Sequence, residues 1–173
     1  MYNLITKLSL SKQLRFEEGR ILLFGKPTII LPAECFLSLT EDVGNCEALY
    51  EKGKILGKEL YFAPHLNLVK DEKKALILLI QLFNVLGFGK LRIGEIKFDE
   101  KRAIFTLENS IFGISKSIGG CYYISGIIAG FMSEVFGEDT ECIERECIKR
   151  GSPRCEFVVM TKTSKSKYLD FKA

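Results

Sequence analysis

The chain has 173 residues, of which 47% are hydrophobic and 27% are charged, and its formal net charge is +3. This balance is typical of one globular domain with a substantial core, and it excludes an intrinsically disordered chain. Lysine and arginine are interspersed with acidic residues, so the sequence lacks the basic stripe that binds phosphates. We therefore expect a single domain over residues 1–173 and no nucleic-acid partner.

The sequence contains neither a secretory signal nor a membrane-spanning segment. Its first residues, MYNLITKLSLSKQLRF, lack a continuous apolar stretch and a small-residue cleavage site. The longest apolar run, residues 75–88, is interrupted by Gln81 and Asn84 and falls short of the ~20 residues that span a membrane. We therefore predict a cytoplasmic protein with no membrane span. In the cytoplasm the six cysteines are expected to bind metal, react or pack, and not to form a disulfide framework.

The first part of the chain shows a strand pattern followed by a helix pattern. Between residues 14 and 30, short apolar stretches alternate with glycine-containing turns, which predicts a hairpin of short strands. From residue 32 to residue 56, apolar side chains recur at steps of three and four. This periodicity predicts one long amphipathic helix, with Gly44 as the place for any interruption.

The remainder of the chain alternates between helix and hairpin patterns. A second helix is predicted over residues 71–86, and a hairpin of period-two strands over residues 91–110. A third helix is predicted over residues 116–136, followed by two strands at residues 140–148 and 155–161. We therefore predict a mixed α/β chain of the α+β type, in which mainly antiparallel hairpins pack with three main helices in a single domain.

Two pairs of glycines lie four residues apart within predicted helices. Gly53 and Gly57 lie near the end of the first helix, and Gly126 and Gly130 lie within the third. Residues this small allow another backbone to approach closely. We interpret both pairs as sites of close helix packing and not as membrane or dimer contacts.

Three cysteines and one glutamate near the end of the chain can converge on one point. Cys121 opens the third helix, Cys147 and Cys155 flank a tight turn, and Glu144 lies three residues before Cys147. A regular strand would point the Glu144 and Cys147 side chains to opposite faces, so a bulge or a strand end must intervene. Three thiolates and one carboxylate would form a closed tetrahedral set, which suits a structural zinc ion.

The same cysteines also fit a simpler interpretation as small buried apolar residues. Cys142 and Glu146 lie nearby and are alternative ligands, whereas Cys35 and Cys46 in the first long helix are expected to pack. His65 is the only histidine and is expected in a solvated loop, which leaves no credible general base for a nucleophile. We therefore predict no catalytic residues, and the sequence favours a protein that is not an enzyme.

Residues 121–157 contain the patterns C-Y-Y-x-x-G-x-x-x-G and E-x-x-C-x-x-x-G-x-x-x-C-x-F. This segment resembles the 4-vinyl reductase, or hydrocarbon-binding, domain family, whose fold is akin to that of transport-particle subunits. Similar domains occur in phenol-responsive transcription activators and in a bacteriochlorophyll biosynthesis protein. Zinc ligands of the sensor members match four positions of this sequence, so the resemblance implies that Cys121, Glu144, Cys147 and Cys155 hold a structural zinc.

The resemblance favours a zinc-containing domain that binds a small hydrophobic or aromatic molecule as a sensor or a carrier. Two alternatives remain open: an assembly subunit like those of transport particles, and an accessory subunit of tetrapyrrole or aromatic biosynthesis that takes its cofactor from outside. A homodimer is compatible with all three, although the sequence shows no interface. The residues that line a ligand pocket are not identified by the sequence, and residues 162–173, polar and basic, are expected to be loosely held.

Overall fold

The computed structural model describes residues 2–42, 45–62, 72–114 and 119–163. Within those ranges the chain forms five α-helices and seven β-strands. The helices are α1 (Tyr2–Leu10), α2 (Ala33–Asp42), α3 (Cys46–Tyr61), α4 (Glu72–Leu86) and α5 (Gly119–Phe136). The strands are β1 (Leu14–Glu17), β2 (Arg20–Leu23), β3 (Lys26–Thr28), β4 (Lys90–Lys97), β5 (Arg102–Glu108), β6 (Thr140–Glu146) and β7 (Cys155–Thr161). The predicted α+β class is confirmed, and α3, α4 and α5 are its three main helices.

The strands form two antiparallel sheets. The first is the meander β1-β2-β3, and the second has the order β4-β5-β7-β6. Strand β7 is buried along its whole length, and Phe157 on it lies opposite Phe105 of β5, with both rings fully buried. Strand β6 is therefore an edge strand, and its outer side is available to form part of a site.

Helix α5 lies at the centre of the molecule, between α3 on one side and strands β6 and β7 on the other. Ile127, Ile128, Phe131 and Met132 are all fully buried. A helix that is apolar nearly all round is expected to be enclosed in this way.

Helices α3 and α5 cross with their backbones in contact at the four glycines. A Cβ at Gly53 or Gly57 would overlap a carbonyl oxygen of α5, and a Cβ at Gly126 or Gly130 would overlap a carbonyl oxygen of α3. Each pair therefore allows the opposite backbone to approach, as a small-xxx-small spacing permits. The close helix packing predicted from the two glycine pairs is confirmed.

The N-terminal part differs from the sequence-based expectation in three respects. The expected hairpin is a three-stranded meander, and helix α1 precedes it. The single long helix over residues 32–56 was wrong, because α2 ends at Asp42 and α3 begins at Cys46. Asn45 caps the new helix: its side chain accepts a hydrogen bond from the backbone N–H of Ala48 at 3.1 Å, which satisfies one of the free N–H groups of the first turn.

The later elements lie close to their predicted positions. Helix α4 ends at Leu86 and β7 covers residues 155–161, as predicted, whereas β6 ends at Glu146, two residues early. His65 and residues 164–173 lie outside the described residues. Within the parts of the chain that the structure describes, no helix is long and apolar enough to cross a membrane.

Candidate metal centre

The structure brings together the four side chains predicted as metal ligands: Cys121, Glu144, Cys147 and Cys155. One ligand atom from each lies within 4.8 Å of all the others, and the Sγ atoms of Cys121 and Cys147 are 3.5 Å apart. Zinc–sulfur bonds of about 2.3 Å at tetrahedral angles place two sulfurs about 3.8 Å apart. The spacing of the cluster therefore suits one tetrahedral ion.

An irregularity at the end of β6 explains how Glu144 and Cys147 reach the same point. The pairing of β6 with β7 shifts register between Glu144 and Glu146, which is the signature of a β-bulge. Cys147 then follows the strand end, with extended backbone angles of φ −137° and ψ 132°. Both features expected from the sequence, a bulge and a strand end, are present.

The turn between β6 and β7 orients the two sulfurs of the hairpin. The carbonyl oxygen of Cys147 accepts hydrogen bonds from two backbone N–H groups of the turn, at 2.9 and 3.2 Å, and Gly151 adopts the left-handed conformation with φ +91°. The backbone N–H of Ile148 donates to Sγ of Cys155 at 3.5 Å. Donors directed at sulfur favour its thiolate form, which is the form that binds metal.

The pKa values of the three thiols are strongly interdependent. A hydrogen bond from Cys121 holds the pKa of Cys155 below its ordinary value. That same bond to Cys155, followed by burial and the charge of Glu144, raises the pKa of Cys121 far above its usual range, and burial raises the pKa of Cys147. Without a metal the cluster therefore retains protons, and a metal ion would have to displace them.

Glu144 provides the test of whether the cluster fits a metal. Its side chain is only 13% exposed, and Oε2 accepts a hydrogen bond from Arg150 at 3.3 Å. The other oxygen, Oε1, is buried and has no hydrogen-bond partner. A buried carboxylate oxygen without a partner is costly unless a cation neutralises it. Zinc, for which sulfur and carboxylate oxygen are ordinary ligands, fits this donor set.

A zinc ion in this cluster would link the β6–β7 hairpin to the first turn of α5. Four protein ligands close its coordination shell, as in structural sites. Three thiolates, one carboxylate and Zn²⁺ carry a formal charge of about −2. Lys149, whose buried Nζ has no hydrogen-bond partner, and Arg150 lie on the same turn, where their positive charges offset that of the centre.

The other candidate residues do not belong to the four-residue cluster. Cys142 is buried on β6, and Glu146 is exposed. Cys35 is exposed and Cys46 is partly buried, so the expectation that both pack in the core was wrong for Cys35. All six cysteines have free thiols.

A cleft of about 540 Å³ lies beside the cluster; we call it the α3–α5–β6 cleft. Its lining comes from three separate segments: Cys46, Glu47 and Tyr50 from α3, Cys121, Tyr122 and Ser125 from α5, and Cys142, Ile143, Glu144, Cys147 and Arg150 from β6 and its turn. The sequence-based predictions did not include this cleft, because residues almost a hundred positions apart form its walls. Tyr122, which follows Cys121 in the signature, was the one available signal.

Tyr50 holds two walls of the cleft together. Its hydroxyl oxygen accepts a hydrogen bond from the backbone N–H of Cys142 at 3.1 Å, so α3 is tied to β6. Burial raises the pKa of Tyr50 to about 12, and its hydroxyl therefore stays neutral at physiological pH.

Comparisons with known proteins agree with this description. Residues 120–161 match the model of the vinyl-4-reductase domain family, a range that contains all four clustered residues. An uncharacterized protein of Methanocaldococcus jannaschii, MJ1460, is 29% identical over 122 residues, which cover 69% of this chain and 68% of that protein.

Three solved structures resemble the chain. A vinyl-4-reductase family protein from Methanocaldococcus jannaschii has a TM-score of 0.54 at 26% identity, covering 76% of this chain and 82% of that one. The phenol-responsive sensory domain of the transcription activator PoxR, solved with phenol, has a TM-score of 0.75 at 18% identity, covering 98% and 97%. A trafficking protein particle complex subunit 3 from Naegleria fowleri, covalently bound to palmitic acid, has a TM-score of 0.51 at 12% identity, covering 75% and 95%. The last two likenesses concern the fold alone.

The fold and the site thus define an α+β domain whose C-terminal third, from α5 to β7, is a segment of the vinyl-4-reductase type. The predicted resemblance to the 4-vinyl reductase family, with a fold akin to transport-particle subunits, is confirmed.

Proposed function

We propose that this chain is a zinc-containing domain that binds a small hydrophobic or aromatic molecule, as a sensor or a carrier, and that the zinc is structural. In this proposal residues 1–173 form one binding domain. The observation that carries it is the position of the four-donor cluster directly beside the α3–α5–β6 cleft.

The zinc part of the proposal is supported by the chemistry of the cluster. Three buried sulfurs and one carboxylate with an unpartnered oxygen lie within bonding range of a common centre, and soft thiolate donors favour zinc over magnesium or calcium. Six free thiols persist in a reducing compartment. We therefore place the protein in the cytoplasm.

The ligand part is supported by the cleft and by the sensory relative. A volume of about 540 Å³ falls within the roughly 300–1,000 Å³ of small-molecule pockets. The rings of Tyr50 and Tyr122 and the side chain of Ile143 give the cleft apolar walls, on which a small aromatic molecule can stack. The PoxR sensory domain, which shares the fold, was solved with phenol.

A second candidate function is an assembly subunit, acting as a homodimer or with another protein. Leu10, Phe16, Ile29 and Ile30 on the N-terminal segment are each more than 70% exposed. A concentration of exposed apolar side chains is typical of a protein–protein contact, and the trafficking-complex subunit shares the fold.

The two candidates are separated by elemental analysis and native mass spectrometry on protein purified without added metal. We expect one zinc per chain and a retained small apolar molecule, or saturable binding of added phenol. A folded protein that holds neither metal nor small molecule, but forms a stable oligomer, would contradict the first candidate and favour the second. Chelation of the zinc should lower the melting temperature, because a structural metal contributes folding free energy.

A further inference from the structure

The α3–α5–β6 cleft and the metal cluster share a wall. Cys121, Glu144 and Cys147 all line the cleft, whereas Cys155 does not. A molecule in the cleft is therefore in contact with three of the four donors. A structural centre shielded on every side by protein would not have this arrangement.

We propose that Glu144 is a replaceable metal ligand, and that the cleft binds a compact apolar molecule whose single anionic head group, a thiolate or a phenolate, takes the place of Glu144 in the donor set. This inference rests on the proposed zinc site and names the class of ligand that the site accepts. The exchange breaks the zinc–oxygen bond to Glu144 and forms one bond to the head group. The proton of the incoming thiol or phenol goes to solvent, and no group is oxidised or reduced.

The burial and bonding of the four donors single out Glu144. The sulfurs belong to residues that are 6% exposed or less, and backbone N–H groups hold Cys155 and Cys147 from behind. The Glu144 side chain is more exposed, at 13%, and it lies where the strand pairing is already interrupted. A carboxylate oxygen is also a harder donor than a thiolate, so it is the donor that a soft incoming group replaces at a borderline-soft ion.

Arg150 provides a place for the displaced carboxylate. Its guanidinium already donates to Oε2 of Glu144 at 3.3 Å, and its side chain is 60% exposed, so it can follow the carboxylate as it moves. The released charge therefore stays paired, which avoids the penalty for leaving a partly buried carboxylate alone.

The charge and shape of the site define the incoming molecule. A thiolate or phenolate carries one negative charge, as does the carboxylate that it replaces, so the charge of the centre is unchanged. Tyr122 and Ile143, 44% and 50% exposed, lie on the wall beside Glu144 and can cover an apolar body. A one-ring molecule with a single donor atom satisfies both conditions.

The test uses the full chain with Co²⁺ in place of Zn²⁺, because the visible absorption of cobalt reports its donor set. Thiophenol is the probe, and toluene, which has the same ring size but no donor atom, is the matched control. We expect thiophenol to change the cobalt spectrum saturably while the cobalt content stays at one per chain, and toluene to leave the spectrum unchanged.

Two variants on the same cleft sharpen the test. Glu144→Gln removes the competing anionic ligand and should tighten thiophenol binding by roughly tenfold or more. Glu47→Gln alters a carboxylate that lines the cleft but lies outside the cluster, and it should leave the affinity unchanged. Equal affinities for the two variants would overturn the role of Glu144.

The wild-type spectrum decides the matter even if Glu144→Gln loses its metal. Thiophenol that stays bound by native mass spectrometry without changing the cobalt spectrum would overturn the inference, and so would a change that appears only as cobalt is lost. Either result leaves the proposed zinc site and apolar cleft standing. A protein that takes up no metal at all would instead contradict the proposed function.

Discussion

Replacing Gly126 by alanine adds a methyl group where α5 crosses α3 at backbone contact. The new Cβ would overlap the carbonyl oxygen of Tyr50, and it would lie 2.9 Å from the backbone nitrogen of Lys54 and 3.0 Å from the Cα of Gly53. All three neighbours are backbone atoms, so no side-chain rotation can make room. The two helices would have to move apart.

The magnitude follows from two opposing effects. Alanine is favoured over glycine within a helix by ~1 kcal/mol, whereas overpacking a close contact costs ~1–3 kcal/mol or more. Because the contact is with backbone, we expect the upper end and a net loss of about 1–2 kcal/mol in the free energy of unfolding. For a domain of this size each kcal/mol lowers the melting temperature by about 2–4 °C.

The assay is thermal and denaturant unfolding beside a matched glycine substitution. Gly94→Ala, on β4, places its Cβ 3.5 to 3.9 Å from atoms of Ile104, which is ordinary van der Waals contact. We expect this control to be neutral or slightly stabilising. A Gly126→Ala protein as stable as the wild type would refute the backbone-contact reasoning.

Three further predictions concern the metal centre and two polar contacts. Cys155→Ser should lower zinc content and melting temperature together, while Cys35→Ser, at an exposed thiol, should change neither; metal analysis and calorimetry check both. Tyr50→Phe should cost about 1 kcal/mol by removing an acceptor for a β6 N–H. Because the folded pKa of Tyr50 is raised to about 12, its contribution is present below pH ~10 and is lost as the pH rises through the folded pKa, which alkaline unfolding curves would show. Asp139→Asn should cost at most ~1 kcal/mol at pH 7: the ion pair with Lys54 lowers the pKa of Asp139, so the contribution is present above the usual pKa and disappears as the pH falls through the lowered one. A deficit that persists in acid would argue against this ion pair.

The sequence predicted the later elements well because their boundaries have strong local causes. Gly87 and Gly137, both at positive φ, end α4 and α5, and the alternation of apolar and polar residues identified the β4–β5 hairpin. The N-terminal part was harder to predict. The three-to-four spacing of apolar residues continues through the break between α2 and α3, and the capping side chain of Asn45 outweighs it. Helix α1 has a weaker local signature, with no acidic residue in its first turn.

The site was predictable to a different extent in its two parts. The four donors lie in two short segments with distinctive spacing, so the cluster of Cys121 with Glu144, Cys147 and Cys155 was accessible from sequence. The cleft was not accessible, because it exists only where α3, α5 and β6 meet. Its position depends on how closely the glycine-mediated crossing holds α3 against α5, which local patterns do not encode.

The central claim is that Cys121, Glu144, Cys147 and Cys155 together bind one zinc ion. X-ray absorption at the zinc edge, on protein purified without added metal, tests it most directly, because bond lengths distinguish sulfur from oxygen ligands. We predict three sulfurs at about 2.3 Å and one oxygen at about 2.0 Å. A zinc-free protein, or a zinc bound by oxygen and nitrogen alone, would contradict the assignment.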